Sequence, residues 1–193
     1  MLSYTKFLII LAVAAAAPIS GDSATNNSSE FIRRSCAATL YPDLCCSSLA
    51  PYGRAVQQSP AKLAVAAANA SLSTIKAASS RAAALRRSSG GRLGAALRDC
   101  VDSLGTAAEQ TRRSVAEMEK LGSPVVAGGP AAEAWRVSNA QTWMSAALTN
   151  EETCLDGFDG GLPAAKAVLD GVRRAKMYTS NALALLNVFA HGR

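Results

Sequence analysis

The sequence contains few aromatic residues and only one histidine. Phe, Trp and Tyr make up 5% of the 193 residues, and His191 lies two positions before the last residue. Alanine, which has the highest helix propensity, supplies 40 residues. This composition excludes a large all-β fold and an ordinary histidine-dependent enzyme, and the length allows one domain.

The sequence also lacks a hydrophobic run of the roughly 20 residues that a membrane-spanning helix needs. Its longest apolar run, residues 7–17, follows Lys6 and has the length of the hydrophobic region of a signal peptide. We expect a signal peptide over residues 1–24, cut between 16 and 24, and a secreted domain over 25–193 without a membrane span. In a secreted protein, Asn26, Asn27 and Asn69 are candidate glycosylation sites, because each begins an Asn-x-Ser pattern.

Four long segments carry apolar residues in steps of three and four, which is the period of a helix face. They cover residues 59–87, 97–118, 130–150 and 168–189, and short Gly- and Pro-containing breaks separate them. A shorter helical region, about 28–52, precedes them and is interrupted at Tyr41-Pro42. Because short connections make neighbouring helices antiparallel, the pattern predicts an all-α fold. We expect an up-down-up-down four-helix bundle over about 59–190, preceded by a short helical hairpin.

The five cysteines predict two disulfides and one remaining thiol in a secreted chain. Cys100 and Cys154 lie at similar distances on either side of the break near residue 126, so antiparallel helices bring them level. Cys36 is then left to pair with Cys45 or Cys46 across the Tyr-Pro turn. Zinc binding is disfavoured because no C-x-x-C pair is present, and no calcium loop of the EF-hand type occurs. We therefore expect no metal site and no cofactor.

Four segments resemble the family of plant invertase and pectin methylesterase inhibitors. They are CAATLYPDLC at 36–45, AALRDC at 95–100, TWMSAALT through TCLDGF at 142–158, and SNALAL at 180–185. The likeness runs from about residue 31 to the end of the chain. It implies a helical bundle with a hairpin in front, and disulfides Cys36–Cys45 and Cys100–Cys154. It leaves Cys46 as an additional cysteine.

The resemblance also implies a function without catalysis. A pectin methylesterase inhibitor forms a one-to-one complex that covers the substrate cleft of the enzyme, and it acts in the apoplast and cell wall. Asp102, Thr153 and Asp156 match the family's contact positions. Leu104 stands where the family commonly has Tyr, and we expect this difference to affect partner preference.

Charge suggests where the partner binds. On a chain with a formal net charge of +6, six of the 14 acidic residues are expected near the Cys100–Cys154 bridge. We expect these residues to form part of the enzyme-facing surface; they are Asp99, Asp102, Glu151, Glu152, Asp156 and Asp159. The basic residues are spread over all the predicted helices, which predicts weak adhesion to anionic pectin. Secretion argues against nucleic acid as a partner.

Two other functions compete with inhibition of pectin methylesterase. The first is inhibition of a cell-wall or vacuolar acid invertase, since the family fold is shared. The Pro-Lys-Phe motif that such inhibitors often carry is missing here, and residues 143–158 are more similar to the methylesterase inhibitors. The second is a basic membrane-active or polyanion-binding helical protein, which narrow apolar stripes and disulfides disfavour.

Overall fold

The computed structural model describes residues 21–121, 129–158 and 163–192. Most of the predicted signal peptide, residues 1–20, lies outside these ranges, as do the connections 122–128 and 159–162. In the described ranges every regular element is helical. None of these helices is both long enough and apolar enough to cross a bilayer.

The amino-terminal part is a helical hairpin closed by a disulfide. Helix α1 spans Gly21–Cys36 and α2 spans Pro42–Leu49, with Pro42 at the first helical position, where its missing N–H costs no hydrogen bond. A 3₁₀ turn, Ala50–Tyr52, and the four-residue helix α3, Gly53–Val56, follow. Cys36 is bonded to Cys45, with the two Cα atoms 5.6 Å apart. The bridge therefore joins the end of α1 to the first half of α2.

Four long helices follow the hairpin. They are α4 at Pro60–Arg86, α5 at Gly91–Met118, α6 at Gly129–Asp156 and α7 at Lys166–His191. The Ser59 side chain caps α4 by accepting a hydrogen bond from the Lys62 N–H at 3.3 Å. Gly91, the first residue of α5, has φ +56°, a left-handed conformation that glycine adopts without strain.

Helix α6 is longer than the sequence pattern predicts. The apolar stripe was expected to end near Asn150, but the helix continues to Asp156. The Asn150 amide donates a hydrogen bond to Gln110 Oε1 on α5 at 3.0 Å, and no glycine or proline interrupts the chain before Gly157. Polar residues therefore extend the helix through contacts with its neighbour.

The long helices pack in a closed ring in which α5 lies between α4 and α6, and α7 lies between α6 and α4. The predicted up-down-up-down bundle with a helical hairpin in front is confirmed. Its apolar interior consists of two clusters, one beside the hairpin and one beside the Cys100–Cys154 bridge. Between them lie fully buried polar side chains from three helices: Ser71 on α4, Thr111 on α5 and Thr179 on α7.

Besides the apolar contacts of the shared core, one side-chain amide links the hairpin to the bundle by hydrogen bonds. Asn181 of α7 accepts a hydrogen bond from the Tyr41 N–H at 3.1 Å and donates one to the Tyr41 carbonyl at 2.9 Å. The amide thus pairs with a backbone residue as a neighbouring strand would, at the turn between α1 and α2. Asn181 is 4% exposed, so the pair gives partners to the oxygen and the nitrogen of a buried side-chain amide.

The two disulfides should contribute unequally to stability. Replacing Cys100 and Cys154 together by Ala should lower the free energy of unfolding by about 4 kcal/mol, and the same change at Cys36 and Cys45 by about 3 kcal/mol. The difference follows from the closed loops, since the cysteines are 54 residues apart in one pair and 9 in the other. Urea denaturation measures both losses, and Cys46→Ala, which keeps both bridges, is the control. A larger loss from the shorter loop would contradict the expectation.

Candidate functional site

The Cys100–Cys154 bridge fixes α5 against α6 at one end of the bundle. The Cα atoms of the two cysteines are 4.2 Å apart, and both side chains are buried. This is the level pairing expected from the spacing. Asp102 and Asp156 each lie two residues beyond a cysteine, which is about 200° around the helix, so they face away from the bridge towards solvent. Both are exposed.

We call the exposed surface shared by these two helices the α5–α6 face; it comprises Asp102, Thr106 and Arg113 on α5, and Trp143, Thr153 and Asp156 on α6. A shallow groove along it is lined by Asp102, Thr106, Arg113 and Trp143. The Arg113 guanidinium lies 4.9 Å from the centre of the Trp143 ring, a cation–π contact between the helices. The groove therefore has an acidic end at Asp102 and an aromatic end at Trp143.

Charges in this groove differ in whether they are already paired. Glu109 accepts hydrogen bonds from Arg112 and Arg113, and these bonds hold the pKa of its carboxyl below the usual value. Asp102 and Asp156 form no ion pair with any residue in the described ranges. Their carboxylates are free to accept hydrogen bonds from another molecule.

Thr153 lies on the same side of α6 as Asn150, one turn earlier, which is bonded to α5. It is exposed, and its hydroxyl donates to the Thr149 carbonyl at 3.0 Å. The hydroxyl oxygen can still accept a hydrogen bond from a partner. The three matched positions therefore lie along one outer surface next to the bridge.

The acidic surface is smaller than the sequence suggests. Of the six residues grouped around the bridge, Glu151 is fully buried and Glu152 forms an ion pair with Lys176 of α7. Asp159 lies outside the described residues. Exposed carboxylates without an ion pair in the described ranges remain at Asp99, Asp102 and Asp156.

The structure also places the other predicted positions. Asn26 and Asn27 are exposed on α1, and Asn69 is exposed on α4 beside a groove that Tyr52 and Val65 also line.

Leu104 is fully buried in the core, so its side chain does not reach a partner on the α5–α6 face. Cys46 is a half-buried free thiol. Among the described residues, no three His, Cys, Asp or Glu side chains form a group able to hold a metal ion.

Sequence reasoning missed the role of Glu151. Its Oε1 accepts a hydrogen bond from the Thr179 hydroxyl at 2.7 Å, and that hydroxyl lies 2.7 Å from the Ser71 hydroxyl. Oε2 has no hydrogen-bond partner among the described residues. Burial raises the pKa of Glu151 to about 8, although the Thr179 bond and the charge of Lys176 oppose the shift. The signal was the helical period, because Ala147, Glu151 and Cys154 follow in steps of four and three.

Stability should therefore depend on pH through Glu151. The unfolded carboxyl has the ordinary pKa of 4.5, so between about pH 4.5 and 8 the folded state holds a proton that the unfolded state lacks. In this range folding stability falls as pH rises, by up to about 1.4 kcal/mol per pH unit from this group. Glu151→Gln keeps the acceptor for Thr179 and removes the titration, so its unfolding free energy should vary less over this range.

Urea denaturation between pH 4 and 9 measures this difference. Glu152→Gln, at the exposed neighbouring position, is the matched control and should keep the wild-type pH dependence. Parallel curves for the wild type and Glu151→Gln would show that the buried carboxyl does not take up a proton on folding.

Comparison with known proteins defines the class to which this bundle belongs. The family model described as plant invertase/pectin methylesterase inhibitor matches residues 30–185. The "21 kDa protein" of Daucus carota is 37% identical over 194 residues, covering 98% of this chain and 94% of the relative. "Pectinesterase inhibitor 11" of Arabidopsis thaliana is 38% identical over 205 residues, covering 97% of this chain and 96% of that protein.

A solved structure shares the fold. It is the crystal structure of mutant form A of a pectin methylesterase inhibitor from Arabidopsis, with a TM-score of 0.63 and 18% identity, covering 79% of this chain and 92% of that one. Fold and relatives together define a protein of the enzyme-inhibitor class and not an enzyme. The chain belongs to the plant invertase/pectin methylesterase inhibitor family.

Proposed function

We propose that this protein is a secreted inhibitor of pectin methylesterase and regulates pectin de-esterification in the cell wall. Membership of the family over residues 30–185 carries this proposal. The names of the relatives favour it over inhibition of acid invertase, since several are called pectinesterase inhibitors.

The inhibitor forms a one-to-one complex and covers the substrate cleft through the α5–α6 face, centred on Asp102, Thr153 and Asp156. The geometry supports this assignment in two ways. The disulfide and the Arg113–Trp143 contact hold the two helices in a fixed relation, so binding costs little ordering of the backbone. The two carboxylates are exposed and without ion pairs in the described ranges, so they can accept charged hydrogen bonds without first breaking any.

The protein reaches its target in the apoplast after removal of the signal peptide between residues 16 and 24. The apolar run at 7–17 supports this route. Asn26, Asn27 and Asn69 become glycosylation sites on the same route, and all three are exposed. The amino-terminal residue and the mass of the extracellular protein, before and after glycosidase treatment, test both statements.

Addition of the purified oxidised protein to the two candidate enzymes distinguishes the functions. Pectin methylesterase should lose activity at a one-to-one molar ratio, whereas acid invertase should keep its activity. Release of methanol from esterified pectin measures the first reaction, and release of glucose from sucrose measures the second. Loss of invertase activity with an unaffected methylesterase would show that the target is acid invertase and not pectin methylesterase.

Removal of the charges at the proposed contact should weaken the complex. Asp102→Asn with Asp156→Asn should raise the inhibition constant at least about tenfold, because each buried charged hydrogen bond contributes about 1.5–3 kcal/mol. Adding Thr153→Ala should raise it further. The matched control is Asp43→Asn with Asp170→Asn, which removes the same charge from exposed positions on α2 and α7. Equal inhibition by both double variants, with unchanged helicity, would exclude the α5–α6 face as the contact.

A further inference from the structure

The net positive charge of the protein comes from one continuous part of the chain. Residues 44–98 contain eight Lys and Arg and no Asp or Glu, a formal charge of +8. The remaining residues contain 12 Lys and Arg against 14 Asp and Glu, a formal charge of −2. This stretch runs from α2 through α3 and α4 to the first two turns of α5. Basic residues occur on the other long helices too, but there acidic residues balance them, so the net positive charge comes from this stretch.

The densest part of this charge lies around the turn between α4 and α5. Five arginines fall within residues 81–98, and we call four of them the turn patch: Arg81, Arg86, Arg87 and Arg98. Arg86 and Arg98 line a polar groove together with Ser89 and Gly94. A Cβ at Gly94 would lie 2.7 Å from the Ser89 carbonyl oxygen, so this close approach of turn and helix needs glycine.

The charges of the turn patch are not neutralised within the described part of the protein, although the Arg81 guanidinium lies beside Gly171 of α7. All four are exposed, and none forms an ion pair or hydrogen bond with a residue in the described ranges. Basic residues elsewhere are paired with acids of their own helices: Arg33 and Arg34 with Glu30, and Lys166 and Arg173 with Asp170. The turn patch thus combines high charge density with guanidinium groups that have no internal partner.

We propose that the turn patch binds a polymer of uronic acids, such as de-esterified pectin. Guanidinium groups form paired hydrogen bonds with carboxylates, and several of them on one surface favour a chain that repeats the carboxylate. No aromatic residue occurs between Tyr52 and Trp135, so the patch offers no ring on which a nucleic acid base could stack. Because the patch is polar, it also lacks the apolar side chains that insert into a lipid surface.

The choice of polymer rests on the proposed function. Water hydrolyses a methyl ester of pectin to methanol and a carboxylic acid, which ionises, so the product of the inhibited enzyme is a polyanion. Arg98 and Asp102 lie one helical turn apart on α5, so the turn patch adjoins the α5–α6 face. The inhibitor would then hold the product polymer next to the enzyme that makes it, and would accumulate where de-esterification has already occurred.

The test uses the purified full chain on immobilised polygalacturonate at low salt, with highly methyl-esterified pectin as the weakly charged comparison. The test variant carries Arg81→Gln, Arg86→Gln and Arg87→Gln; Arg98 is kept because it adjoins Asp102. Glutamine preserves helix propensity and part of the aliphatic stem. The matched control carries Arg34→Gln, Lys166→Gln and Arg173→Gln, the same loss of charge at positions that are paired with acids.

We expect the wild type and the control to bind polygalacturonate with affinities within about threefold of each other. The test variant should bind about tenfold more weakly or worse, and its binding should fall less steeply with added salt. Esterified pectin should bind weakly to all three proteins. Equal losses of affinity in both variants would show that only net charge matters. Tighter binding of the wild type to a double-stranded DNA fragment at the same salt would identify a different polyanion. Either result overturns the proposal.

Inhibition of pectin methylesterase, measured in parallel on a short soluble substrate, separates this proposal from the proposed function. The test variant should inhibit like the wild type. Binding to polygalacturonate without inhibition by any of the three proteins would refute the proposed function. Inhibition of the enzyme without charge-dependent binding to polygalacturonate would refute the proposal that the turn patch binds the polymer.

Discussion

A buried carboxyl group sets the alignment of three of the four long helices. Glu151 on α6, Thr179 on α7 and Ser71 on α4 are linked by hydrogen bonds of 2.7 Å at the level that separates the two apolar clusters. Alanine-rich faces can slide past each other by one turn at little cost, because their side chains are nearly alike. A helix that carries a buried polar group cannot slide in this way, because only one register brings the group to its hydrogen-bond partner. In any other register the group would be buried without a partner. This layer therefore specifies the register that the alanines leave undetermined.

The register in turn determines the functional surface. Asp102 and Asp156 lie on the same side of the bundle only because Cys100 and Cys154 are level, and the disulfide can form only in that register. The disulfide joins α5 to α6 by a covalent bond, and the buried carboxyl joins α6 to α4 and α7 by hydrogen bonds. Together the two constraints fix the α5–α6 face within the bundle, because one sets the relation of its two helices and the other sets α6 against the remaining helices.

The sequence predicts the structural features that depend on residues close together in the chain. It does not predict the contacts between residues that are far apart in the chain. The long helices follow from apolar residues in steps of three and four between glycines and prolines. The choice between Cys45 and Cys46 stayed open because adjacent residues are equivalent by distance along the chain; Cys45 is buried, whereas Cys46, about 100° further around α2, is half-exposed. The charge of Glu151 predicts a surface position, whereas its place in the apolar repeat with Ala147 and Cys154 predicts burial, and the structure follows the repeat. The Arg113–Trp143 contact joins residues 30 positions apart and has no local signature.

The pairing of Asn181 with Tyr41 has a consequence for the order of folding. The two residues are 140 positions apart, and translation proceeds from the amino terminus, so the hairpin leaves the ribosome long before its site on α7 exists. During that interval Cys36 and Cys45, nine residues apart, can meet by local diffusion alone, whereas the hydrogen bonds to Asn181 must await the last helix. The hairpin can therefore be closed covalently before α7 is made, and its pairing with Asn181 marks the completion of the bundle.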